Sequence, residues 1–158
     1  MKFSTMVWLA VSAVAMCGTA AAGSAPAPAS TAASSGGDTC MNNAQSQAAM
    51  DECASKSLDA ADKELNQVYQ QVLAKYASDK VFVGKLRAAQ KAWVAFRDAE
   101  LDARYPASNK SLQYGGVYPM CADNELEAMT RKRTEELREW LKGATEGDAC
   151  AGSYRSKS

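Results

Sequence analysis

Histidine is absent from all 158 residues. That absence removes the Ser-His-Asp and Cys-His catalytic arrangements, the commonest general base and the commonest metal ligand. Proline occurs four times and glycine ten times, too seldom for a β-sandwich that needs a turn every ten residues or so. An excess of one charge is lacking too. Eighteen Lys and Arg balance eighteen Asp and Glu, so no net field draws nucleic acid or an acidic membrane surface, and no nucleic-acid partner is expected. The cysteines show no C-x-x-C spacing, which with no histidine leaves no metal site and no cofactor to expect.

What is present first suggests export. Met1 and Lys2 give a short basic start, Val7 to Met16 an apolar run too short to cross a bilayer, and Ala20-Ala21-Ala22 small residues for signal peptidase. Residues 1 to 22 therefore read as a signal peptide and the periplasm as the destination. In the competing reading Cys17 is the acylated cysteine of a lipoprotein. Val14-Ala15 suits a lipobox, but Met16 stands where Gly, Ala or Ser is normal, and membrane attachment is expected only in that case. Residues 23 to 39 are Gly, Ser, Ala, Pro and Thr apart from Asp38 and read as a flexible tether. Residues 40 to 150 then form one domain, and 151 to 158 a disordered tail.

Within the domain, apolar residues recur every three or four positions. Met50, Cys53, Ala54, Leu58, Ala61, Leu65, Val68, Val72 and Tyr76 predict a helix over about 46 to 77. Ser78-Asp79 interrupts it and can cap a second helix over 80 to 104, carried by Phe82, Leu86, Ala89, Trp93 and Phe96. Leu126, Met129, Leu137 and Trp140-Leu141 predict a third over 123 to 142, closed by Gly143. The expected fold is all-α, a small antiparallel bundle of three main helices with a long Tyr/Gly loop over 105 to 120. Beyond Cys17, four cysteines at 40, 53, 121 and 150 in an exported chain read as two disulfides, with three connectivities open.

Ala61-Asp62, Leu65-Asn66 and Tyr69, then Leu86, Ala89-Gln90, Ala92-Trp93 and Phe96-Arg97-Asp98-Ala99-Glu100, then Gly115-Gly116, Cys121 and Thr130 with Arg133 and Leu137, together resemble the LprI-type lysozyme inhibitor family. The resemblance spans about residues 40 to 141 and implies a small exported helical domain that inhibits lysozyme. Its partner would be a lysozyme-like muramidase or a cell-wall-hydrolase toxin delivered by a competing bacterium, the chain then being an immunity protein. Leu101 departs from the pattern, since the family usually has a cysteine directly after the Arg-Asp-x-Glu segment. Taken with that departure, the resemblance implies the pairs Cys40 to Cys53 and Cys121 to Cys150.

The motif residues read first as structure. Gln90, Trp93, Arg97 and Glu100 fall on successive turns, so Asp62, Asn66, Gln90, Trp93, Arg97 and Asp98 are expected to form a polar network in the inter-helix seam. Asp51-Glu52 and Glu135-Glu136 are adjacent on helices and diverge, unlike the converging carboxyls of a glycosidase, so no catalytic residue is expected. The binding candidates are Tyr105, Tyr114, Gly115, Gly116 and Tyr118 in the loop, a composition suited to recognition, although the tyrosines could equally close the core. Beside them stand Asp51, Glu52 and Asp59 of the first helix, which between 51 and 64 has five acids against Lys56 and Lys63. Such a surface would occlude a muramidase cleft and face its basic rim. The alternative is an envelope adaptor that docks on another protein and inhibits nothing.

Overall fold

A computed structural model describes residues 35 to 157. The expected signal peptide, most of the expected tether, and Cys17 lie outside them. Five helices follow in order: α1 Ser35–Asn43, α2 Gln47–Lys75, α3 Lys80–Arg104, α4 Lys110–Tyr114 and α5 Tyr118–Lys142. No strand occurs among the described residues, so the all-α reading holds. None of these helices is long and apolar enough to cross a membrane.

The starts of α2 and α3 follow from their caps. The Ser46 hydroxyl accepts from the Ala49 N–H at 3.2 Å and the Asp79 carboxylate from the Phe82 N–H at 2.9 Å, satisfying N–H groups that the first turn cannot. Two boundaries differ from expectation. α5 begins five residues before Asp123, because Pro119 sits in its first turn, where a missing N–H costs nothing and a fixed φ suits the helix. α1 occupies the end of the segment read as tether, held to α2 by the Cys40–Cys53 disulfide with Cα atoms 5.7 Å apart. By chain entropy that cross-link contributes about 3 kcal/mol.

α2 and α5 run parallel and make most of the helix contact. Ser57 meets Glu127, Asp62 meets Thr130 and Lys75 meets the Leu141 carbonyl, a steady offset along both chains. Ala54 and Ala61 on α2, with Ala122, Thr130 and Thr134 on α5, are all buried, and these small side chains let the two axes approach closely. α3 runs antiparallel to both, as Gln90 meeting Arg133 and Arg104 meeting Glu125 require. The apolar core gathers at one end: Leu65, Val68, Val72 and Tyr76 of α2, Phe82 and Leu86 of α3, and Leu137 of α5. Beyond Leu86, α3 buries nothing fully and is held by polar side chains instead.

Residues 151 to 158 were expected to be a disordered tail, yet residues 144 to 157, irregular as they are, fold back over the core. Tyr154 stacks on Trp140 with centroids 3.9 Å apart, and the Arg155 N–H donates to the Tyr76 hydroxyl at 3.1 Å. Tyr154, isolated among Gly, Ser and Ala, is the residue that drives this: its ring has apolar surface to bury and Trp140 offers a matching face. Gly143 makes the reversal possible. It has φ +79, and a Cβ there would lie 2.3 Å from the Arg155 carbonyl oxygen. Gly143→Ala is therefore expected to cost about 2 kcal/mol and to release the tail, seen as a lower unfolding midpoint and early proteolytic loss of residues after 143.

The same fold-back corrects one cysteine pairing. Cys40–Cys53 forms, but Cys121 and Cys150 are both free thiols, Cys121 half-buried and Cys150 exposed. Cys121 lies in the first turn of α5, and the tail anchors at Trp140 and Tyr76, a helix length away, roughly 30 Å at 1.5 Å per residue.

Candidate functional site

The connector from α3 to α5 is ordered by its own side chains. Asn109 caps α4 through its carboxamide oxygen, which accepts from the Leu112 N–H at 3.1 Å, and Gly115 ends α4 at φ +76, a value that favours glycine. Tyr105, Tyr114 and Tyr118 pack on one another, with centroids 5.2, 5.2 and 6.0 Å apart, and the Tyr114 hydroxyl accepts from the Ala107 N–H. Lys110 ties this cluster to α3: its ammonium donates to Asp102 at 2.9 Å and to the Tyr105 carbonyl at 2.7 Å, and lies 6.0 Å from the Tyr118 ring. The two readings of the tyrosines thus merge. They are half-buried against each other and serve as a base, while the residue this base presents is Leu112, 82% exposed, with the exposed Val117 nearby in sequence. Gly115 and Gly116 are both open, with nothing in reach of a Cβ.

At the same end of the α2–α5 pair lie the acids. Asp51 accepts from Gln47, Glu52 pairs with Lys56 at 2.6 Å, and Asp59 is exposed. Asp123 on the second turn of α5 is close enough to both Asp51 and Asp59 to feel them. Burial, reinforced by these two carboxylates, raises its carboxyl above the ordinary aspartate range. A carboxyl with a raised folded pKa binds its proton more readily when folded, so its contribution falls as pH climbs through that raised value. Asp123→Asn is therefore expected to raise the unfolding midpoint at pH 7 and to leave it unchanged below about pH 3, where aspartate is protonated in both states.

The seam residues divide. Arg97 donates to Asp62 at 3.3 Å and to Asp98 at 3.1 Å, approaches the Thr130 hydroxyl at 3.5 Å, and lies over the Trp93 ring at 5.4 Å. Arg133 donates to Gln90 at 3.1 Å and pairs with Glu136. Asn66, expected in the same network, is exposed and outside it. What remains between α3 and α5 is a groove of about 300 Å³ lined by Trp93, Phe96, Glu100, Met129, Lys132 and Arg133, among others, with Phe96 56% exposed. Glu125 and Glu136 on its rim are each tied to an arginine. Among the described residues, no group of three or more Cys, Asp and Glu side chains could hold a metal ion.

Residues 40 to 137, well over half of the chain, match the family model described as Lysozyme inhibitor LprI. The chain belongs to the LprI family. An uncharacterized protein of Rhizobium meliloti (strain 1021) is 36% identical over 113 residues, covering 64% of this chain and 78% of that relative. No solved structure matches. The LprI match starts at Cys40 and stops at Leu137, so it takes in the disulfide, the Arg97 network, the tyrosine cluster and Leu112, and leaves out the tail. Sequence reasoning on this LprI chain missed Leu112 and Asp123. A lone leucine between Ser111 and Gln113 in a polar loop was the available signal for the first; the second needed the parallel register of α2 and α5.

Proposed function

We propose that this LprI-family protein is an exported, periplasmic inhibitor that blocks the cleft of a lysozyme-like peptidoglycan-cleaving enzyme by shape, without chemistry of its own. The observation that carries the reading is the braced connector: a five-residue helix fixed on three tyrosines and Lys110 holds Leu112 almost fully in solvent. An apolar side chain displayed on a rigid base costs little entropy to dock. Asp51, Glu52, Asp59 and Asp123 at the same end would face the basic rim common in such enzymes and speed encounter. The target would be a host muramidase or a cell-wall toxin delivered by a competitor, which would make the protein an immunity protein.

The test is a cell-wall lysis assay with the oxidised protein, using a basic c-type lysozyme and, in parallel, a delivered bacterial muramidase. Stoichiometric loss of lysis that weakens with added salt supports the reading; unchanged lysis by both at large molar excess ends it. The adaptor reading is favoured by one observation, the exposed Phe96 in the α3–α5 groove. It predicts that Phe96→Ser abolishes partner capture while lysis by either enzyme is never affected.

A further inference from the structure

Among the described residues, α3 has one face with no partner. Val81, Gly84, Ala88, Ala92, Ala95 and Ala99 recur every three or four residues opposite Phe82, Leu86 and Trp93, and all six are exposed, Val81 at 75%. Charge along this face is split by position. Arg87 and Lys91 lie in the N-terminal half and make no ion pair among the described residues, whereas Asp98 and Asp102 lie in the C-terminal half, still more than half exposed despite their contacts with Arg97 and Lys110. Arg97 and Arg104 on the same helix are both paired, so the unpaired cations are confined to one half of the outer surface.

A helix with bases toward one end and acids toward the other on one face complements an antiparallel copy of itself. With a two-fold axis beside Val94, Arg87 comes opposite Asp102 and Lys91 opposite Asp98 of the second copy, and the same pairs recur by symmetry. The alanines between them leave room for the two axes to come close. A parallel copy would set like charges against each other, and a partner of one charge sign would be repelled by half of the face. The overall charge balance removes any net repulsion between copies.

We infer that α3 is a self-association surface on which two copies of this chain pair antiparallel through Arg87 and Lys91 against Asp98 and Asp102. The pairing would put the two α4 connectors at opposite ends of the dimer, roughly 33 Å apart along the paired helices, so each copy's Leu112 stays free.

Sedimentation velocity over a range of protein concentrations tests this. The wild-type chain is expected to shift from monomer to dimer, with the transition moving to higher concentration as salt is raised. Arg87→Glu with Lys91→Glu should weaken dimerisation about 100-fold, since every cross-pair becomes like-charged. Asp98→Lys with Asp102→Lys should do the same, and mixing the two variants should restore a 1:1 dimer. Ala95→Arg supplies a second arm that touches neither Arg97 nor Lys110 and should also abolish pairing, with its unfolding midpoint unchanged. A wild-type chain monomeric at every concentration, a dimer indifferent to Arg87→Glu with Lys91→Glu, or well-folded charge variants that do not restore each other would each overturn the inference.

Discussion

Replacing Leu112 with aspartate is expected to weaken the proposed binding to a lysozyme-like enzyme by about 30-fold or more, the size of a hot-spot loss of roughly 2 kcal/mol. The far-UV circular dichroism and the unfolding midpoint should not move. The side chain is 82% exposed, so the fold gains almost nothing from it; its cost appears only when a carboxylate must enter an apolar subsite. Lys110→Met gives the contrast. It leaves Leu112 in place but removes the contacts to Asp102 and the Tyr105 carbonyl, so the connector must be ordered on binding and affinity falls by a smaller factor, with faster dissociation. If Leu112→Asp inhibits like the wild type in titration calorimetry and lysis, the connector is not the inserted element, and the acidic end or the groove must be tested in its place.

Truncating Tyr76 to alanine is expected to cost about 4 kcal/mol in urea unfolding, a large share of the stability of a domain this size. Tyr76 is 1% exposed and joins three elements at once. Its ring packs on Phe82 of α3 at 4.3 Å and on Trp140 of α5 at 5.9 Å, and its hydroxyl donates to the Trp140 carbonyl and accepts from the Arg155 N–H. Tyr76→Phe should lose only about 1 to 2 kcal/mol, because the ring stays and two hydrogen bonds go. It should also loosen the tail selectively, so amide exchange at Arg155 rises before any in α2. A loss below 1 kcal/mol for the alanine variant would mean that the tail and the core end are not coupled through this residue.

The lengths of α2 and α3 were legible because their caps and periods are local: Ser46, Asp79 and the three-four spacing of Leu65, Val68 and Val72 specify helix without reference to any neighbour. Arg97 with Asp62 was legible for the same kind of reason, since a long cation at core spacing opposite a carboxylate has few other places to go. The start of α5 was not. Pro119 and three tyrosines signal loop when read alone, yet proline is accepted in a first turn once the chain beyond it is helical. The free state of Cys121 and Cys150 was likewise hidden, because pairing depends on where the tail returns, and that was settled by Tyr154 finding Trp140.

By itself the chain's order of residues determined a set of long amphipathic helices with an arginine-centred seam, because these follow from composition, period and charge, all of which act over a few residues. Only the tertiary structure decided that α2 and α5 run parallel, that Asp123 therefore lies within electrostatic reach of Asp51 and Asp59, that Asn66 faces water, and that three tyrosines become a pedestal for Leu112. The parallel register and the approach of the acids depend on which faces bury each other across 60 or more residues of sequence, where the gain from removing apolar surface outweighs any local preference.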